Sequence, residues 1–224
     1  MTTFYICTHK DFEIPEGLKG NYKIITDGTE LTNNYPYPIN KAENELTPLK
    51  HGYSEGVMIY DIWKNDTDSD YIGINHYRRY FDVQRIEDDI QQNILPIPMA
   101  FNMYDQYKGC HHIADLNECK NIIEKYYGEY NTNVIGFYPC NMAVLDHDTF
   151  DEWCKFIFGV LDIFNERRHF TCEEDIRRYV EQYFPNNTDY QSRIQGFLLE
   201  RLSTIYFANK FNEKPIRLSQ IIMT

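Results

Sequence analysis

Apolar and polar positions sort simply at the start of the chain. Thr3 to Thr8 (Thr-Phe-Tyr-Ile-Cys-Thr) is a short strand-forming run that opens onto the polar loop His9-Lys10-Asp11. Tyr22 to Thr26 is a second such run and stops at Asp27-Gly28, a turn signal. Two short strands that end in polar residues predict the start of a parallel sheet. From Glu30 to His51 the pattern breaks up, and Pro36, Pro38 and Pro48 predict a long irregular segment. Helical spacing begins at Ser54 and runs to Asn65 through Val57, Ile59, Tyr60, Ile62, Trp63 and Lys64.

Asp70 to Phe81 changes character half-way. Tyr71, Ile72 and Ile74 form strands, and Gly73 lets a neighbouring backbone come close. His76, Arg78 and Arg79 then arrive among Tyr77 and Tyr80. Unpaired cations are very costly in a core. They therefore face solvent, paired locally with Asp82 or Glu87, or they hold an anion at a strand end, where open α/β sheets bind ligands.

Further on, Ile94 to Pro98 predicts a short strand, at an edge because of its prolines. Phe101 to Ile113 reads as aromatic and irregular, ending at His111-His112. Asp115 to Tyr127 predicts a helix capped by Asp115 with Glu118 and stopped by Gly128. Asn133 to Leu145 holds two strand-like runs, the second being Cys140 to Leu145. Asp148 is the expected cap of a helix whose stripe is Trp153, Phe156, Ile157, Val160, Leu161 and Phe164. Thr171 with Glu174 predicts another helix start, before Pro185. Asp189 to Phe211 reads as the longest helix, and Ile216 to Met223 as a last strand. With no repeat and no linker, the pattern predicts one α/β domain over 1–224, with a mixed, mostly parallel central sheet flanked by helices and a helix-rich C-terminal half.

Composition narrows the function. The 224 residues carry a net charge of −12, so a nucleic-acid binder is not expected. Against that acidic background the local cation cluster points to a small anionic ligand. Six cysteines without a two-residue spacing read as reduced thiols, hence an intracellular protein. No secretory leader and no membrane-length apolar run is seen. The expected location is cytoplasmic, with peripheral contact at the inner face of a membrane compatible with it. Adjacent His111 and His112 would need further ligands to hold a metal.

Several segments together carry a family resemblance. They are Tyr5-Ile6-Cys7-Thr8-His9-Lys10, Tyr53-Ser54-Glu55, Ile62-Trp63-Lys64-Asn65 and Asp70-Tyr71-Ile72-Gly73. They continue with His76-Tyr77-Arg78-Arg79-Tyr80-Phe81, His111-His112-Ile113-Ala114-Asp115-Leu116, and Arg193 with Gly196-Phe197-Leu198-Leu199-Glu200-Arg201-Leu202. In this order they resemble a family of uncharacterised-domain glycosyltransferases from capsule and lipopolysaccharide gene clusters. The resemblance spans nearly the whole chain, and the His-Tyr-Arg-Arg-Tyr-Phe run is its specific part. It implies a GT-A-like fold. The implied activity is sugar transfer from a nucleoside diphosphate sugar, uridine-linked first of all, to a glycan or lipid-linked glycan. The alternative is a non-catalytic nucleotide-sugar or glycan binding module of a larger synthase.

The resemblance has one departure. Most GT-A enzymes hold a divalent metal such as manganese with Asp-x-Asp at the end of the central strand, and here that place reads Asn75-His76-Tyr77. Neutralising a leaving diphosphate then falls to His76, Arg78 and Arg79, since guanidinium groups bind phosphate bidentately. A metal at Asp27, His76 or the His111-His112 pair stays open. Thr8, His9 and Lys10 are expected at the base or phosphate. Asn141, from a motif similar to the donor-sugar contact, and Arg193 complete the expected binding set. Asp115, Glu200 and Glu55 are the candidate bases for an acceptor hydroxyl. Each also has a structural role open to it: a cap for Asp115, an arginine partner for Glu200, a dipole partner for Glu55.

Overall fold

Side chains on a strand alternate between two faces, and both faces of the central sheet here must be apolar. The computed structural model describes residues 1–18, 20–81, 90–214 and 216–223. Its strands are β1 (Thr2–Thr8), β2 (Tyr22–Thr26), β3 (Ile39–Lys41), β4 (Tyr71–His76), β5 (Arg79–Phe81), β6 (Ile94–Pro96), β7 (Ala143–Asp146), β8 (Arg217–Ser219) and β9 (Ile221–Met223). The helices are α1 (Lys50–Tyr53), α2 (Gly56–Asn65), α3 (Met103–Cys110), α4 (Ile113–Tyr126), α5 (His147–Arg168), α6 (Glu173–Glu181), α7 (Thr188–Gln191) and α8 (Ile194–Lys210).

The sheet order is β3-β2-β1-β4-β7-β6-β8. The half from β3 to β4 is parallel, β7 runs antiparallel to β4 and β6, and β8 is parallel to β6. Helices flank it, as expected of this α/β class. Tyr5, Cys7, Ile25, Ile72 and Ile74 face a large core shared with α2, α5 and α8. Phe4, Ile6, Tyr22, Ile24 and Val144 face a smaller core closed by Phe12, Tyr77, Tyr80 and Phe81. Gly73 does admit a close neighbour, though it is a ring: a Cβ there would stand 2.4 Å from Phe4 Cδ1. The α5 stripe is fully buried as its spacing predicts, and each such side chain contributes roughly 1.5–3 kcal/mol.

Several local expectations need correction. Residues 103–110 form a helix, capped by Asn102, whose side chain accepts from Tyr104 N and Asp105 N. Asp115 caps nothing: His112 is the cap residue of α4, and Asp115 lies within its first turn. Asp146, not Asp148, caps α5 by accepting from Thr149 N. Cys172 with Asp175, not Thr171 with Glu174, makes the capping box of α6. The longest helix is α5, because Ser192 and Arg193 break the run from Asp189 into α7 and α8. Cys140–Asn141 is a tight turn and only Ala143–Asp146 is strand. β6 lies inside the sheet, not at its edge. Ile97 N donates to Ser219 O of β8, so the nitrogen of Pro96 faces the opposite side, past the single β6–β7 pair at Ile94. The last segment splits: β8 joins β6, and β9 crosses to pair with β5. All six cysteines are free thiols.

Candidate functional site

The carboxyl ends of β1, β2 and β4 open into a cavity of about 890 Å³, within the size range of small-molecule sites. Its two walls have different origins. Cys7, His9, Asp27, His76, Tyr77, Arg78 and Arg79 follow the strands and form one wall. Lys50, Ser54 and Glu55 before α2, Tyr190 of α7, Arg193, and Phe197, Glu200 and Arg201 of α8 form the other.

The strand-end wall is a tight turn. β4 ends at His76, and β5 returns at Arg79, which pairs with it. Tyr77, at the turn, is the buried anchor. His9 meets its ring edge-on at 5.2 Å, and Lys10 Nζ and the Arg78 guanidinium lie 5.4 and 5.0 Å from its centroid. Such contacts hold cations for about 0.5–1 kcal/mol each without neutralising them. Arg78 and Arg79 pair with no carboxylate among the described residues; Asp82 and Glu87, their expected partners, lie outside those residues. Burial, with Arg79 nearby, pushes the His76 imidazole down to about 4, so it is neutral at pH 7. Its Nε2 is buried without a partner. Burial also lowers His9, opposed by Asp27 and assisted by Lys10, Arg193 and Arg78.

The helix-side wall depends on close packing. A Cβ at Gly56 would stand 2.4 Å from Leu199 Cδ1, and one at Gly196 3.0 Å from Ser54 Oγ. Glycine at both places lets the start of α2 lie against α8, which brings Glu55 to Glu200. Glu200 is held at both oxygens: Cys140 N donates to Oε1 (2.9 Å) and Arg201 Nη1 to Oε2 (2.8 Å). Burial raises its pKa, Arg201 opposes that, and Glu55 adds to it. Arg201 is itself 2% exposed and also donates to Phe197 O and Gln106 Oε1. Arg193 Nε donates to Ser54 Oγ at 2.8 Å.

The cavity therefore gathers nine expected residues: Glu55, Glu200, His9, Asp27, His76, Arg78, Arg79, His111 and Arg193. Five stand elsewhere. The Thr8 hydroxyl donates to Lys10 O (2.6 Å), so Thr8 and Lys10 shape the loop behind His9. Asn141 is buried beneath the cavity, and its amide donates to Glu55 Oε1 (3.0 Å) rather than lining the cavity. His112 stacks on Tyr183, while His111 accepts or donates at Gln191 and stacks on Phe197, so the two histidines diverge. Asp115 is 2% exposed, accepts from Tyr179 (2.6 Å) and pairs with Arg168 (3.1 Å). It stands outside this cavity, buried and paired. Residues missed by sequence reasoning include Lys50, His51, Gln106, Glu173, Asp189 and Arg201. The Asn102 cap signal would have revealed the helix that carries Gln106.

A divalent ion on a diphosphate takes one or two protein carboxylates, and the end of β4 carries none. Asn75 instead faces the other side of the sheet, with Oδ1 accepting from Phe81 N. The next residue, His76, offers a single imidazole. Among the described residues no three His, Cys, Asp or Glu side chains are grouped to hold a metal. The strand end does not fit such an ion.

A family model described as a domain of unknown function, DUF4422, matches residues 3–212. The chain belongs to that family. No curated protein matches it. Among solved structures, the apo structure of the bifunctional glycosyltransferase WbbM superposes on this DUF4422 chain with a TM-score of 0.76 at 20% identity. The match covers 100% of this chain and 45% of that one, so the chain spans under half of the bifunctional protein. The likeness is one of fold. No helix among the described residues is long and apolar enough to cross a membrane.

Proposed function

We propose that this DUF4422 chain is a single GT-A-like domain that transfers a sugar from a nucleoside diphosphate sugar, uridine-linked first, to a glycan or lipid-linked glycan. The setting is polysaccharide or glycoconjugate synthesis at the cytoplasmic side of a membrane. One observation carries the reading: a strand-end cavity joins the open guanidinium groups of Arg78 and Arg79 to the half-buried carboxylates of Glu200 and Glu55. That pairing suits departure of a diphosphate on one side and proton removal on the other. Arg78 and Arg79 bind the diphosphate, with Arg193 at the start of α8 across the cavity from them. Neutral His76 keeps its unpartnered Nε2 as an acceptor for a ligand hydroxyl. The WbbM-like fold supports this reading of the cavity.

The test is release of the nucleoside diphosphate from a panel of uridine, guanosine and thymidine diphosphate sugars, with simple glycosides as acceptors. The proposal expects turnover with at least one donor. Binding without turnover would instead favour the non-catalytic module.

A further inference from the structure

Backbone strain is concentrated at one place beside the cavity. The described non-glycine residues with positive φ are Ser54 (53°), Cys140 (68°), Asn141 (49°) and His169 (57°). The last ends α5 as an ordinary left-handed cap. The other three surround Glu55. Ser54 precedes it, and Asn141 holds its carboxylate. Strain of this kind persists only where the surroundings over-determine it, and it gathers at working sites.

What the strained turn does is visible in its bonds. Cys140 N is turned toward Glu200 Oε1. The Asn141 side chain is turned inward onto a buried chain of donors. Trp153 Nε1 donates to Ser203 Oγ (3.1 Å), Ser203 Oγ to Asn141 Oδ1 (2.9 Å), and Asn141 Nδ2 to Glu55 Oε1 (3.0 Å). Trp153 and Ser203 are fully buried and Asn141 nearly so. The indole can only donate, so the chain has one direction. It fixes the amide with its NH₂ toward Glu55. The two cavity carboxylates are thereby given different fates. Glu200 is bonded at both oxygens, one of them to Arg201. Glu55 is bonded at Oε1 alone among the described residues, and its Oε2 is left for the cavity.

We infer that Glu55 is the group that takes the acceptor proton, and that the Cys140–Asn141 turn with Ser203 positions it. The inference rests on the glycosyl-transfer reading. In the step, the acceptor O–H bond breaks and its proton goes to Glu55 Oε2. The acceptor oxygen bonds to the anomeric carbon as the bond from that carbon to the diphosphate oxygen breaks. The electron pair leaves with the diphosphate, toward Arg78 and Arg79. One such displacement inverts the anomeric configuration.

Three variants test it against a donor sugar that turns over in the wild-type chain. Glu55→Gln is isosteric and still accepts from Asn141. It should lower kcat at least a hundredfold while the melting shift given by the matching nucleoside diphosphate persists. Asn141→Asp tolerates the left-handed backbone but loses the donor to Glu55, and Ser203→Ala frees the amide to turn. Each should lower kcat about tenfold, a part of the roughly 10²–10⁴-fold that a positioned acid or base supplies, with the donor KM unchanged. A product with inverted configuration is expected. Near-normal kcat in Glu55→Gln, or Asn141 and Ser203 variants that lose melting temperature with kcat intact, would overturn the inference and leave glycosyl transfer standing. A wild-type chain with neither nucleotide shift nor turnover would overturn both.

Discussion

The two walls of the cavity put similar charges to opposite uses. On the helix side Arg201 is spent inside the fold: it is 2% exposed, holds Glu200 and bonds to Phe197 O and Gln106. On the strand side Arg78 and Arg79 rest on a turn organised by Tyr77 and meet no described carboxylate. A guanidinium whose terminal nitrogens are committed to protein oxygens stabilises and places other groups. One that meets no described carboxylate keeps its charge for a ligand. Counting arginines at a site therefore says little until each one's partners are known.

The comparison predicts different failures on the two walls. Arg201→Ala removes the buried member of the pair and leaves half-buried Glu200 without its cation and Phe197 O without its donor, and unfolding in urea should show a loss of about 3–5 kcal/mol. A loss under ~1 kcal/mol, the size of an exposed pair, would mean that Arg201 is not locked as described. Arg79→Ala should do the reverse. Stability should change by about 1 kcal/mol or less. Transition-state stabilisation should fall by roughly 2–4 kcal/mol, on the order of a hundredfold in rate or more. Turnover and unfolding measured on the same two variants either keep the walls distinct or merge them.

The difference between the walls is also a difference in what a sequence can disclose. His76-Tyr77-Arg78-Arg79 is contiguous, and the strand before it ends where its apolar run ends, so this wall is readable residue by residue. β2 is found at its predicted bounds, and the α5 stripe at its predicted positions. The helix wall is assembled from segments separated by about sixty to a hundred and forty positions, as in Cys140 with Glu200 and Ser54 with Arg193. Helical spacing at Phe197 to Leu202 reports burial and does not report partners. Asp115 shows the cost: its motif and helix-start position suggested a cap or a base, whereas Arg168 and Tyr179, which decide its role, come from α5 and α6. Asn141 lies in a motif that pointed to the sugar. Its strained backbone and its bond to Ser203 turn it instead to Glu55.

Acid should sharpen the contrast from within the cavity. His76 belongs to the strand wall, and His111, stacked on Phe197, to the helix side. Burial pushes both from 6.5 down to about 4. Between those values the unfolded chain binds more protons than the folded one. Stability is thus fully present above pH 6.5 and is lost as pH falls toward 4, by at most about 1.4 kcal/mol per pH unit for each histidine. His111→Asn should flatten this slope in denaturation followed from pH 7 to 4. An unchanged slope would show that His111 is not held neutral by the fold.

The central claim is that the strand-end wall receives a nucleoside diphosphate. The direct measurement is the melting temperature of the wild-type chain and of Arg79→Ala with millimolar nucleoside diphosphates and their sugars, in EDTA and in manganese. A ligand bound only to the folded chain at 100 times its Kd adds about 2.7 kcal/mol of stability. The account predicts that at least one nucleotide raises the wild-type melting temperature, that part of the rise survives EDTA, and that Arg79→Ala loses it. A wild-type curve unmoved by the whole panel, or a rise found only with manganese and equal in Arg79→Ala, would contradict it.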